Sequence, residues 1–152
     1  MTRARRRHAR SGVAAVEFAL ICPVLLMCAG GVGDFGLSLA DQSRMASAVA
    51  QGAQYGYLNP STATAAPIKA LVIAGAALPG ITVTVTTPAY FCVTTAAPPV
   101  LTTATATTTC ADGTSAGYYV VISASYLYPA LMPAYSMMVN TTLTEAVTVR
   151  IQ

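Results

Sequence analysis

From Val13 to Gly33 the chain is apolar with a single charged interruption, Glu17, and beyond Gly33 the pattern becomes one-sided. A continuous apolar run of this kind matches the roughly 20 residues a helix needs to cross a bilayer core, so residues 13–33 read as a transmembrane helix. Further on, Phe35, Leu39, Ala46, Val49, Ala53 and Tyr57 recur at helical spacing, with Asp41, Arg44, Ser47, Gln51 and Gln54 on the opposing side. That pattern predicts an amphipathic helix with one buried face. No strong breaker intervenes before Asn59-Pro60, so one helix is predicted from about Val13 to Leu58, on the order of 70 Å long. Pro23 removes a backbone hydrogen bond and should bend the membrane portion. Gly30, Gly31, Gly33 and Gly36 should soften the helix where it leaves the lipid.

Residues 60–66 read as a small polar linker. A short apolar helix follows at Ile68–Ala77, opened by Pro67 at its first position and stopped by Pro79-Gly80. Ile81 to Thr87 alternates Ile or Val with Thr, which predicts a strand with one buried and one wet face. Tyr90–Thr94, Tyr118–Tyr128 and Thr141–Ile151 are predicted as three more strands, joined by turns that suit antiparallel pairing. In the last of these Leu143, Val147, Val149 and Ile151 share parity with Glu145, so either that acid lies at a sheet edge or a bulge intervenes. Residues 95–109 are almost wholly Thr, Ala and Pro, too little bulk to bury, and are expected to form a mobile loop. Tyr126, Tyr128, Leu131, Met132, Tyr135, Met137 and Met138 gather around Pro129 and Pro133. Two readings stand there: a loop folded back over one sheet face, which is preferred, and an exposed adhesive patch.

Charge refines the picture of the N-terminus. Residues 1–12 hold five arginines and no acid, while the remainder sets Arg44, Lys69 and Arg150 against Glu17, Asp34, Asp41, Asp112 and Glu145. With an apolar span directly behind them, the arginines read as a topological signal and not as a nucleic-acid footprint. Positive flanks stay in the cytoplasm, so everything after Asp34 is expected outside, across the inner membrane of a bacterium. A secretory signal peptide would share these features, with Cys28-Ala29-Gly30 as a place to cut, but a charge in the apolar core weakens such signals. A lipoprotein site at Cys22 wants a small residue before it, and Ile21 is not small. An uncleaved anchor accounts for hydrophobicity and orientation but leaves Gly12 and Glu17 without a role. A carboxylate in hydrocarbon costs roughly 2.5 to 3.5 kcal/mol on insertion scales, so Glu17 requires a partner.

The chain of 152 residues has room for one small domain after the span. Its sole histidine, His8, lies in the leader, so no Ser-His-Asp, Cys-His or histidine-metal site can be built in the outer domain. Its many Ser and Thr hydroxyls have no base to activate them, and Asp112-Gly113 reads as turn chemistry, with a lone calcium ligand the weaker alternative. No enzyme, metal or cofactor is expected. Cys92 and Cys110 flank the Thr/Ala/Pro stretch and, outside the cytoplasm, can oxidise to a disulfide that adds about 3 kcal/mol in the loop-entropy model. Cys22 and Cys28 read as small apolar fillers of the span.

Gly12, then Glu17 and Phe18, then Ala-Leu-Ile-Cys-Pro-Val-Leu-Leu, Asp34-Phe35-Gly36 and the Ala-rich stretch ending Gly52-Ala53-Gln54-Tyr55 resemble the TadE-like pseudopilins of tight-adherence (Flp, type IVc) pilus systems. The likeness is clearest over residues 11–58, and Thr142 to Arg150 resembles the family's closing strand more loosely. The resemblance implies cleavage by a prepilin peptidase between Gly12 and Val13, with Glu17 as the fifth mature residue and Phe18 its motif neighbour. It also implies a pilin-like α+β fold: a basic leader at 1–12 that is removed, a transmembrane helix at 13–33, its extracytoplasmic continuation at 34–58, and a small α+β domain at 59–152 with an antiparallel sheet of about four strands. Val-Ala-Ala-Val before Glu17 departs from the Phe-Thr-Leu-Ile of type II secretion and type IVa pilins. The chain is longer than major Flp subunits and too short for the large outer domain of TadG-like proteins, so a minor component is expected.

Cleavage would create an α-amine with an unperturbed pKa of about 8, largely cationic at neutral pH. Such an amine, from a neighbouring subunit or the chain itself, could neutralise Glu17 where an unpaired charge is costly. The expected partners are the membrane, the prepilin peptidase, other pilins and pseudopilins, and the inner-membrane pilus assembly platform, with no nucleic acid. The expected location is the bacterial inner membrane, single-pass with the N-terminus cytoplasmic, with or without incorporation into a pilus. The competing reading is a permanently anchored surface protein, or a secreted binding or adhesion domain, acting through its Tyr/Met patch.

Overall fold

In the computed structural model, residues 3–94 and 100–151 are described, the side chains of residues 3–11 and of Ala134 excepted. Helix α1 runs unbroken from Arg3 to Leu58 with Pro23 inside it. It begins well before Val13, as the Ala and Arg of the leader are themselves good helix formers. Among the described residues α1 is the one helix long and apolar enough to cross a membrane, and Val13 to Gly33 holds no buried residue. By its contacts the chain divides into two units, residues 1–38 with 129–140 and residues 39–128 with 141–152.

The second unit is α+β. It contains the end of α1, helix α2 (Ala65–Ala76) and strands β1 (Thr82–Val85), β2 (Ala89–Val93), β3 (Leu101–Thr103), β4 (Gly117–Leu127) and β5 (Thr142–Arg150). Every pairing is antiparallel. The long β4 is central: β5 runs along one side in unbroken register from Tyr119↔Arg150 to Leu127↔Thr142, while β1 and β2 share the other side. Alternation along β4 buries Val120, Ile122, Ala124 and Tyr126 on one face. That face meets the helices, whose core residues include Met45, Ala48, Val49, Ile68 and Val72.

Several expectations are corrected. The buried stripe of α1 in this unit is Met45, Ala48, Val49, Gly52, Ala53 and Gly56, whereas Leu39, Ala46 and Tyr57 are exposed; Phe35, in the first unit, is exposed too. Close approach decides the face: a Cβ on Gly52 would stand 2.6 Å from Val72 Cγ2, and one on Gly56 would touch Ile68, Val120 and Val149. Small residues therefore mark the packed side, and the bulkier ones left over do not. Gly52→Leu should lower stability by about 3 kcal/mol through overpacking against a short, stiff side chain. Gly36→Ala, which has open space around it, should not, and chemical unfolding in detergent reads the difference.

Helix α2 starts at Ala65, so Pro67 is its third residue; the first-turn N–H groups lack helical partners, which makes Pro tolerable there too. The helix closes on Ala77 in the left-handed region, whose N–H donates to the Ile73 carbonyl at 3.2 Å. The sheet, expected to have about four strands, has five among the described residues. The fifth, β3, lies within the stretch expected to be mobile: its threonines pair as a hairpin with β2, and Thr102 Oγ1 donates to the Cys92 carbonyl at 3.2 Å. Residues 95–99 of that stretch lie outside the described residues. Cys92 and Cys110 are joined by a disulfide with Cα atoms 5.5 Å apart, which ties the Thr-rich segment to the sheet. No bulge interrupts β5. It is an edge strand, and Glu145 accepts a hydrogen bond from Gln42 Nε2 at 3.2 Å.

Candidate functional site

Two places on α1 combine charge with an apolar setting. The first is the segment Gly12, Val13, Glu17 and Phe18. Gly12 has nothing within 4 Å of where a Cβ would be, and Val13, Glu17 and Phe18 are exposed. Val13 and Glu17 stand four residues apart, hence on the same helical face. Among the described residues no hydrogen bond or salt bridge to Glu17 is found. Its neighbours Val16, Leu20 and Ile21 are exposed as well, so the carboxylate projects from an otherwise apolar cylinder. Such an acid can do little chemistry alone, but it can select a cationic partner when apolar helices pack side by side.

The second place is Asp34, which lies at the end of the apolar run and was read from sequence as its boundary and as part of the Asp34-Phe35-Gly36 likeness. Its side chain is fully buried. One carboxylate oxygen accepts the backbone N–H of Leu131 at 2.8 Å and the other that of Met132 at 2.9 Å. Those amides precede helix α3 (Pro133–Met138). One turn along, Ser38 Oγ lies 2.9 Å from the Tyr135 hydroxyl and donates to the Phe35 carbonyl. One turn back, Gly30 leaves a notch occupied by the Met132 thioether. Positions 30, 34 and 38 thus form one stripe at helical spacing that fastens residues 129–140 to α1. Beside it Met27, Cys28, Gly31 and Phe35 face Met132, Tyr135, Met138 and Val139 across an apolar groove of about 520 Å³.

This arrangement corrects the preferred reading of the Tyr/Met cluster. Tyr126 and Tyr128 are buried in the second unit, while residues 129–140 group with the first half of α1 and not with the sheet. An anion matched to two consecutive backbone amides is the physical cause. The sequence carried no local signal for it, because the two amides lie 97 and 98 residues further along the chain.

Elsewhere the polar groups have local roles. Asp112 accepts from the Thr114 hydroxyl at 2.7 Å and from its N–H at 3.0 Å. The hydroxyl bond first, then the amide bond, holds its carboxyl below the usual range. That geometry is an Asx turn, with both bonds on Oδ1. Asp41 and Arg44 form an exposed pair at 3.4 Å, worth little. Among the described residues no three His, Cys, Asp or Glu side chains gather as a metal site. Cys22 and Cys28 are free thiols.

No curated protein and no solved structure matches the chain. The family model of TadE-like proteins matches residues 12–54, the stretch that holds Gly12, Glu17 and Asp34, so over this N-terminal helix the chain is similar to TadE-like proteins.

Proposed function

We propose that the protein is a minor pseudopilin that takes part in assembly of a tight-adherence (Flp, type IVc) pilus. Residues 13–33 span the inner membrane with the arginine leader in the cytoplasm, and residues 34–58 and 59–152 lie outside. A prepilin peptidase cuts between Gly12 and Val13. The new α-amine of one subunit then pairs with Glu17 of a neighbour, as an unpaired carboxylate costs more in hydrocarbon than in water.

The observation that carries this reading is the TadE-like match starting at Gly12, together with Glu17 exposed on an apolar helix surface. Cleavage also makes Val13 the first residue of the helix and leaves Glu17 close to a helix N-terminus, where the macrodipole favours an anion. Other pilins and the assembly platform are the partners such a device needs, with the α+β unit left outside to interact in the periplasm or at the pilus. Co-expression with and without the peptidase, followed by intact mass, tests the proposal. Residues 1–12 should be lost only when the peptidase is present, and a permanently anchored surface protein would keep them in both cases.

A further inference from the structure

Leu131, Met137, Met138 and Val139 are 73, 88, 84 and 43 % exposed, and no charged residue occurs from Pro129 to Asn140. This apolar surface is fastened to α1 through Gly30, Asp34 and Ser38, and the groove beside it is walled on the α1 side by Met27, Cys28, Gly31 and Phe35. Met27, Cys28 and Gly31 belong to the same apolar run as Val13 to Gly33. If that run crosses the bilayer, whatever packs against its outer end sits at the same depth.

The polar groups of the segment fit such a place. Backbone inside lipid must find its hydrogen bonds within the protein, and Asp34 accepts the Leu131 and Met132 amides. Ser136 Oγ donates to the Pro133 carbonyl at 2.8 Å, and the Tyr135 hydroxyl meets Ser38. A tyrosine with an apolar ring and a satisfied hydroxyl suits the bilayer interface. The methionines adapt to a disordered partner.

We infer that residues 129–140 are a second membrane-contacting element, a foot lying in the outer-leaflet interface, with lipid acyl chains occupying the groove between it and α1. The inference rests on the reading of residues 13–33 as membrane-spanning. The occupant is lipid because the groove is continuous with the lipid-facing side of the span.

The chain contains no tryptophan, so single Trp reporters are unambiguous. Full-length Met138→Trp, Phe18→Trp and Thr107→Trp variants are reconstituted in phosphatidylethanolamine/phosphatidylglycerol vesicles and read by emission maximum and by quenching with brominated phospholipids. Phe18→Trp reports the span and Thr107→Trp an exposed loop of the other unit. The foot predicts a blue-shifted Met138→Trp emission, lost most strongly to lipids brominated near the headgroup, with Thr107→Trp unquenched. A quenched Phe18→Trp beside a red, unquenched Met138→Trp would overturn the foot and leave the span standing. A blue-shifted Met138→Trp that no brominated lipid quenches would overturn it in favour of contact with another protein copy. An unquenched Phe18→Trp would remove the spanning reading and the foot with it.

Discussion

Glu17→Ala should yield a protein that inserts into the membrane normally and is lost from assembled pili. Removing the carboxylate eliminates a cost of roughly 2.5 to 3.5 kcal/mol for placing an acid in hydrocarbon, so insertion should if anything improve. Assembly should suffer, because the α-amine of the adjoining subunit would be left in an apolar contact without its counter-charge. Breaking one side of such a pair costs about 3 to 5 kcal/mol, which is upward of a hundredfold in an association constant at about 1.4 kcal/mol per tenfold. Glu17→Gln keeps the shape and a hydrogen-bonding oxygen but not the charge, and should fall between wild type and alanine. Membrane fractionation reads insertion, and cross-linking to other pilins together with recovery in sheared pili reads assembly. Wild-type recovery of Glu17→Ala in pili would remove the charge-pairing mechanism.

Asp34→Ala should release residues 129–140 from α1 without unfolding the sheet. The carboxylate accepts two backbone N–H groups at 2.8 and 2.9 Å in a fully buried position, and hydrogen bonds to a charged group contribute about 1.5 to 3 kcal/mol each. Loss of both should cost the local structure roughly 3 kcal/mol or more. Exchange of the Leu131 and Met132 amides should accelerate on the order of a hundredfold, since local opening governs exchange there. The Ile122 amide, in the middle of β4 and paired on both sides, should keep its protection. Asp34→Asn retains one acceptor oxygen and should show a smaller effect. Unchanged protection at Leu131 and Met132 in the alanine variant would mean that other contacts hold the segment.

The long helix and most of the sheet were legible in the sequence because their signals are local. An apolar run of bilayer length and the Val/Thr alternation of residues 81–87 each announce an element from its own period. Glu145 was legible as a choice between edge and bulge, and the unbroken β4–β5 register makes it an edge. What eluded the sequence depends on partners far along the chain. The packed side of α1 is its small side, since Gly52 must admit Val72, and a hydrophobicity pattern weights bulk in the opposite sense. Strand β3 is made of residues with little to bury, and it is held by pairing with β2 beside the Cys92–Cys110 bridge. The role of Asp34 needed knowledge that residues 131 and 132 return to it, a separation of 97 residues and more. Gly12, Val13 and Glu17 were legible only as a motif with a physical rationale, because their proposed partners are other molecules.

In the proposed mechanism, trimming at Gly12 creates the cation that Glu17 answers. Intact mass of the protein recovered from the membranes and pili of cells that make it, supported by N-terminal sequencing, tests this most directly. The expected mature chain begins at Val13 and lacks all five leader arginines. A mature chain that still carries residues 1–12, or one cut after Cys28-Ala29-Gly30, would contradict it.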